Sequence, residues 1–151
     1  MATTMNLYDT FRRKQTSGAG AVDLTALTLK MMLVTAGYTP NQNTHDFRDD
    51  LGATEVSGTN YSAGGNTIST VTAVMDGSGN VTIDGNDPAV WSQSGTGFSN
   101  ARRAILYVAR GGAASADELV AYSNDFGADL GNVAADLQIT LNASGIITSA
   151  R

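Results

Sequence analysis

Turn signals limit this chain to short elements. Clusters bearing glycine, asparagine and aspartate recur along the chain, and together with Gly52 and the glycine-rich residues 58–65 they bring a turn roughly every 10 to 15 residues over much of it. They stand at Tyr38-Thr39-Pro40-Asn41, Asp76-Gly77-Ser78-Gly79-Asn80, Gly85-Asn86-Asp87-Pro88, Gly111-Gly112, Asn124-Asp125-Phe126-Gly127 and Asn142-Ala143-Ser144-Gly145. Each such residue favours a turn for its own reason, through a positive φ, a fixed φ or a side chain bonded to the local backbone. That spacing suits short strands joined by turns, an antiparallel arrangement instead of alternating βαβ units.

The stretches between these turns also have strand chemistry. Leu27, Leu29, Met31 and Leu33 alternate with Thr28, Lys30, Met32 and Val34, the period of a strand with one buried face. Residues 67–75 and 81–84 are β-branched, polar-interleaved and separated by the Asp76 turn, which predicts a hairpin. Residues 104–109 are the most apolar run and predict a central strand, with residues 118–122 returning antiparallel to it. Residues 137–141 and 146–148 complete the set, and residues 55–57 and 90–91 are candidates for short edge strands. Thr44 is placed to cap one helical turn over residues 45–51, closed by Gly52. Residues 98–103 form a short helical or irregular link. The prediction is a mainly β domain: an antiparallel β-sandwich or barrel of about seven to eight short strands, with one or two short helical turns.

Composition agrees and excludes several function classes. Charged residues make up 15% of the chain, against about 25% in typical soluble domains, and the polar part is instead Gly, Thr, Ser and Asn, with 17 glycines. With no cysteine, disulfides, cysteine-ligated metals and thiol nucleophiles are excluded. The net charge of −5 repels a polyanion, so direct nucleic-acid binding is not expected. No apolar run approaches the ~20 residues of a membrane-spanning helix, and the N-terminus lacks the basic-then-apolar order of a signal peptide. No membrane contact is expected.

Residues 1–22 read as an N-terminal arm and residues 23–151 as the β domain. The arm carries Arg12-Arg13-Lys14, three of the nine basic residues, followed by the flexible Ser-Gly-Ala-Gly-Ala joint at residues 17–21. Leu7, Tyr8 and Phe11 fall on one helical turn as apolar anchors beside that cluster. A basic arm on an acidic body suits head-to-tail contact between copies, so Leu7, Tyr8, Phe11, Arg12, Arg13 and Lys14 are the candidate partner-binding residues.

No catalytic constellation stands out, and the chain is read as a non-enzyme without cofactor or metal. His45-Asp46-Phe47-Arg48-Asp49-Asp50 holds the only histidine and the densest carboxylates. His45 and Asp49 would share a helix face, but one histidine with loosely spaced carboxylates is no established ligand pattern. The plainer reading is a capped polar turn in which Arg48 pairs with neighbouring carboxylates. The Asp76 turn lacks the glycine and glutamate of a calcium loop, having Val81 and Asp87 at those positions. The glycine-rich residues 58–65 are followed by neither Lys-Ser nor Lys-Thr. Arg102-Arg103 is a second basic pair, open to solvation or to an acidic partner.

Four segments carry a resemblance. LVTAGYTPNQNTHDFRDD at residues 33–50, EVSGTNYSAGG at 55–65, ARRAILY at 101–107 and LQITLNASGII at 137–147 resemble, in the same order, small β-rich virion proteins of tailed bacteriophages. The likeness spans roughly residues 27–148. It leaves out the arm, and residues 76–91 match only in general character. It implies a virion component, assembled in the host bacterial cytoplasm, with no catalytic residues to carry over. A capsid decoration or cement protein is the first expectation, binding the major capsid protein or other virion proteins through its arm and a sandwich edge. Symmetric homo-oligomers, trimers among them, would be natural. A neck, collar or tail component is the alternative within that class. A carbohydrate- or receptor-binding module is the alternative outside it, with Tyr61, Trp91 and Phe98 as candidate stacking residues.

Overall fold

A computed structural model describes residues 2–18 and 20–149. In chain order its strands are β1 (Ala2–Thr3), β2 (Met5–Leu7), β3 (Thr28–Val34), β4 (Asn66–Thr67), β5 (Thr72–Met75), β6 (Val81–Asp84), β7 (Arg103–Ala109), β8 (Leu119–Ser123), β9 (Thr140–Leu141) and β10 (Ile147–Ser149). One α-helix, α1 (Asp9–Ser17), follows β2, and short 3-10 turns lie at Arg48–Leu51 and Ala114–Ala116. Two antiparallel sheets dominate, one of five strands in the order β2-β8-β7-β3-β4 and one of three in the order β10-β6-β5. The fold is mainly β and sandwich-like, as the turn spacing predicts.

The β3–β7 ladder is the spine, running unbroken from Thr28↔Ala109 to Val34↔Arg103. Register alternation places Leu29, Met31 and Leu33 beside Ala104, Leu106 and Val108 on one face. Met32 and Val34 fall on the other face with Ile105 and Tyr107. Sequence alternation predicts a single buried face for β3, yet Met32 and Val34 are buried too. The physical reason is a second cover. Tyr8 packs its ring on Tyr122 of β8, Arg48 lies over the Tyr107 ring, and Leu51 and Val56 are buried with them. A strand covered on both faces loses its polar alternation.

Several expected strands are shorter than their patterns. Residues 67–75 are interrupted at Thr70, whose φ of 54° breaks the extended conformation between β4 and β5. Trp91 and Leu137 meet in one isolated bridge, as do Val34 and Glu55, and only Thr140–Leu141 of the alternating C-terminal run becomes a strand. The turn expected after Thr44 begins instead at Phe47. Asp50 Oδ2 accepts the Asp46 and Phe47 N–H groups at 2.8 and 3.2 Å, and Gly52 ends it as expected. Gly65 is required by close approach. At φ +71°, an added Cβ would collide with the backbone of Met31 in β3, so only glycine lets β4 reach the sheet edge.

Within the segment expected as an arm, residues 1–22, the described residues pack onto the body. β1 pairs in parallel with β9, and β2 pairs with β8 through Met5↔Ser123, Asn6↔Tyr122 and Leu7↔Ala121. Asp9 N–H donates to Gln42 O at 2.9 Å, and Thr10 Oγ1 donates to His45 O at 2.6 Å. Gln15 bridges the glycine joint by exchanging two hydrogen bonds with the Val22 backbone. Tyr8 and Phe11 are buried in the common core, so the boundary expected at residue 22 divides one packed unit.

Deleting residues 1–17 should therefore abolish folding. Each buried aromatic is worth ~3–5 kcal/mol on truncation, against a total stability of ~5–15 kcal/mol. Far-UV circular dichroism with a urea titration checks this. Arg12→Ala and Arg13→Ala, both at exposed positions, should each shift stability by no more than ~0.5 kcal/mol.

Candidate interaction surface

Of the six arm residues, the structure buries two. Tyr8 N–H donates to Val120 O, and its hydroxyl meets that of Tyr38 at 2.6 Å. Phe11 lies on the inner face of α1. Leu7 is half-buried on β2. Lys14 is half-buried as well, 4.0 Å above the Phe47 ring and 4.0 Å from Asp46 Oδ2. Arg12 and Arg13 remain exposed, with Arg12 beside Asp9 at 3.6 Å. The apolar half of the expected partner-binding set is thus engaged with the chain's own body, because these residues close the edge of the larger sheet.

The second basic pair is also engaged within the chain. Arg102 meets Asp125 at 2.7 Å and Asp129 at 3.4 Å, and Arg103 meets Asp125 at 3.5 Å. Arg48 pairs with Asp117, far along the chain, at 2.8 Å. That corrects the expectation of a partner among Asp46, Asp49 and Asp50, whose Asp50 carboxylate is taken up by backbone N–H groups.

His45 belongs to a hydrogen-bonded relay. Its Nδ1 lies 2.9 Å from Tyr38 Oη and accepts Asn41 N–H at 3.3 Å. Tyr38 in turn meets Tyr8. The relay ties residues 38–45 to the start of α1, with the ring nitrogen turned inward. Tyr61, Trp91 and Phe98 pack on one another, with ring centroids 6.3 Å apart for Tyr61–Trp91 and 5.4 Å for Tyr61–Phe98. Trp91 and Phe98 are buried, so neither offers a free ring face for a sugar. Asp76 Oδ1 accepts the Ser78 and Asn80 N–H groups at 2.8 and 2.9 Å. Its side-chain bond from Asn80 leads the interactions that hold its carboxyl below the ordinary range. It is a turn-forming residue.

Burial pushes the Tyr38 and Tyr107 phenols up to about 12, and it raises Tyr8 and Tyr61 as well. An unfolded chain releases phenolic protons near pH 10 that the folded chain retains, so alkali favours unfolding. Tyrosine-linked stability is complete below about pH 10 and falls as the pH rises through about 12. The urea midpoint should drop between about pH 10 and about pH 12, and Tyr38→Phe should make that drop shallower.

The exposed apolar surface lies on the β5–β6 hairpin. Met75 is 70% exposed, Val74 61% and Val81 36%. Pairing β5 with β6 and β6 with β10 sorts the small sheet into two faces. Ala73, Met75, Val81, Ile83 and Ile147 share one face, and Thr72, Val74, Thr82, Asp84 and Thr148 share the other. The apolar face looks across an open cleft of about 320 Å³ toward Leu7, Phe11, Val22 and Leu24, with Arg12, Gln15 and Thr16 also lining it. That volume is in the range of ligand clefts and above the voids of a packed core. The cleft brings together Leu7, Phe11 and Arg12 from the expected set. Its remaining walls escape sequence reasoning, because the glycine joint at residues 17–21 separates α1 from the buried Val22 and Leu24. The hairpin alternation itself was legible.

The cleft suits an apolar chain segment or side chain. Among the described residues no group of three His, Cys, Asp or Glu side chains is placed to hold a metal. No family model, curated protein or solved structure matches this chain.

Ala73→Lys and Val81→Lys, at exposed positions that line the cleft, should charge its wall while changing stability by only ~0.5 kcal/mol. Titration with an apolar fluorescent dye should show at least a several-fold loss of binding by both variants relative to the native chain.

Proposed function

We propose that the chain is a structural protein of tailed-phage virions, and specifically a capsid decoration protein that binds the major capsid protein. The observation that carries this reading is the β5–β6 hairpin, whose exposed Val81 lines an apolar cleft and whose exposed Met75 stands opposite Val81 on the same sheet face. Contiguous apolar surface of this kind marks protein contact on a soluble domain. The four segments between residues 33 and 147 that resemble small virion proteins support the same class. So does the acidic net charge of −5, which disfavours direct contact with packaged nucleic acid. Among the described residues no helix is long and apolar enough to cross a membrane.

The contact surface of this proposal differs from an arm-mediated one. Tyr8 and Phe11 are interior, so an apolar segment of the capsid protein would enter the cleft between α1 and the hairpin. Arg12, exposed on α1 and lining the cleft, supplies a cation for the rim of that contact. Rim charges mainly set encounter rate and orientation, and the apolar centre sets affinity.

The test is copy number in purified particles of the phage whose genome carries the chain, by mass spectrometry against the major capsid protein. Decoration predicts on the order of hundreds of copies, because one contact repeats over a symmetric shell. A count of about a dozen would replace decoration with a neck or tail position, and absence from the particle would overturn the virion reading.

A further inference from the structure

Among the described residues nothing pairs with the outer edge of β5, and its register prescribes a partner. All four residues of β5 are exposed, and among the described residues its only strand neighbour is β6. Asp76 N–H donates to Asn80 O at 2.9 Å, continuing the register in which Val74 faces Thr82 and Thr72 faces Asp84. Bonded and non-bonded pairs alternate in an antiparallel ladder. Thr72, Val74 and Asp76 therefore direct their N–H and C=O groups at β6, and Ala73 and Met75 direct theirs outward. An independent bond agrees with this phase. Ile83, opposite Ala73, turns its carbonyl toward the β10 side and accepts Ile146 N–H at 2.8 Å.

We propose that β5 pairs antiparallel with β5 of a second copy of this chain, across a two-fold axis normal to the sheet. Such an axis keeps the faces of the two sheets in common. Directly opposed residues must then share a face, and outward-pointing groups must meet outward-pointing groups. Within the strand these conditions place Ala73 opposite Met75 of the second copy, Val74 opposite its own counterpart, and Thr72 opposite Asp76. Shifting the register toward the N-terminus would engage Val71 beside Thr70, whose φ of 54° leaves the strand conformation. Shifting it toward the C-terminus would engage the Asp76 turn.

A second copy fits this edge for three reasons. The strand carries no charge, proline or bulge, the devices by which sheet edges usually repel another chain. The register sets each Asp76 carboxylate against a threonine hydroxyl instead of the other Asp76. The two-fold arrangement satisfies the same outward groups on both chains with one contact. The result is a six-stranded sheet whose apolar face runs through the axis, with Met75 of each copy beside Ala73 of the other. The two clefts then open side by side on that face. Four paired residues bury less than the ~800 Å² per partner of a stable interface, so association is concentration-dependent. The proposal stands on the hairpin and not on the virion reading.

Cysteine cross-linking tests it cleanly, because the chain contains no cysteine. Val74 on the axis is a non-bonded pair of the new ladder, with Cα atoms ~4.5 Å apart, within disulfide reach. Purified Val74→Cys under mild oxidation should form a covalent dimer at least tenfold faster than Val90→Cys, a control at a 45% exposed site in the loop before Trp91. Adding Ala73→Pro removes an outward N–H and leaves the β5–β6 ladder intact. It should reduce cross-linking to the control rate with an unchanged circular dichroism spectrum. Equal rates for Val74→Cys and Val90→Cys, or no effect of Ala73→Pro, would overturn the pairing. Sedimentation velocity on the unsubstituted chain is the second measurement, and a strictly monomeric species at the highest soluble concentration would also overturn it. Both use the purified chain alone, so their failure is separate from failure of the copy-number test.

Discussion

The unbroken ladder between β3 and β7 is the constraint on which the other elements depend. Its side chains are apolar on both faces, with Leu29, Met31, Leu33, Leu106 and Val108 on one and Met32, Val34 and Ile105 on the other. Burying one such side chain is worth ~1.5–3 kcal/mol, so neither face can remain wet. The face of Met32, Val34 and Ile105 is covered by chain with little regular structure, which is why the connection from Tyr38 to Val56 is long and irregular, yet anchored by buried side chains. The N-terminal segment is recruited by the same demand: β2 extends the sheet beside β8, and Tyr8 and Phe11 fill what the loops leave open.

Irregular cover has a cost, because loop backbone groups need partners once buried. A few buried polar side chains meet it. Asn132 donates to Thr59 O and Ser92 O at 3.1 and 2.8 Å and accepts Phe98 N–H at 2.9 Å, so it holds three loops together. Ser123 Oγ accepts Ala104 N–H at the end of the ladder. Asp117 accepts both the Arg110 N–H and the Arg48 guanidinium at 2.8 Å. These residues act where strands would otherwise have paired with strands, and they account for a sandwich-like body built from so few long strands.

That division explains what was legible in the sequence. The β class, the β5–β6 hairpin, the central position of residues 104–109 and the Gly52 stop are local signals, written in period and turn chemistry within a few residues. The Met5↔Ser123 pairing, the Arg48–Asp117 ion pair and the Trp91–Leu137 bridge join distant segments, and no local pattern encodes them. The glycine joint at residues 17–21 was misleading for a related reason. Glycine reports that the backbone can turn there, and Gln15 bridging to Val22 turns it back against the body. Leu7, Tyr8 and Phe11 were legible as anchors, but their target was a tertiary fact. In the cleft, Ala73, Val81 and Ile83 were readable as one strand face, and the opposing wall of Val22 and Leu24 was not.

The distribution of charge narrows where recognition can occur. Arg48, Arg102, Arg103 and Arg110 all meet carboxylates of the same chain, Arg110 in a two-point contact with Glu118 at 2.8 Å for each bond. Exposed pairs of this kind add little stability, but a guanidinium already matched to a carboxylate offers less to a partner. Among the described residues the exposed large apolar side chains are Val74, Met75, Val81 and Val90, and three of these four sit on the β5–β6 hairpin. A four-residue edge strand with two exposed apolar side chains and no charge within it runs against the usual protection of sheet edges. The neighbouring turn shows that local polar chemistry was accessible to this hairpin, since Asp76, Ser78 and Asn80 are all engaged there. A surface that is polar at its tip and apolar along its open edge is organised for contact with protein.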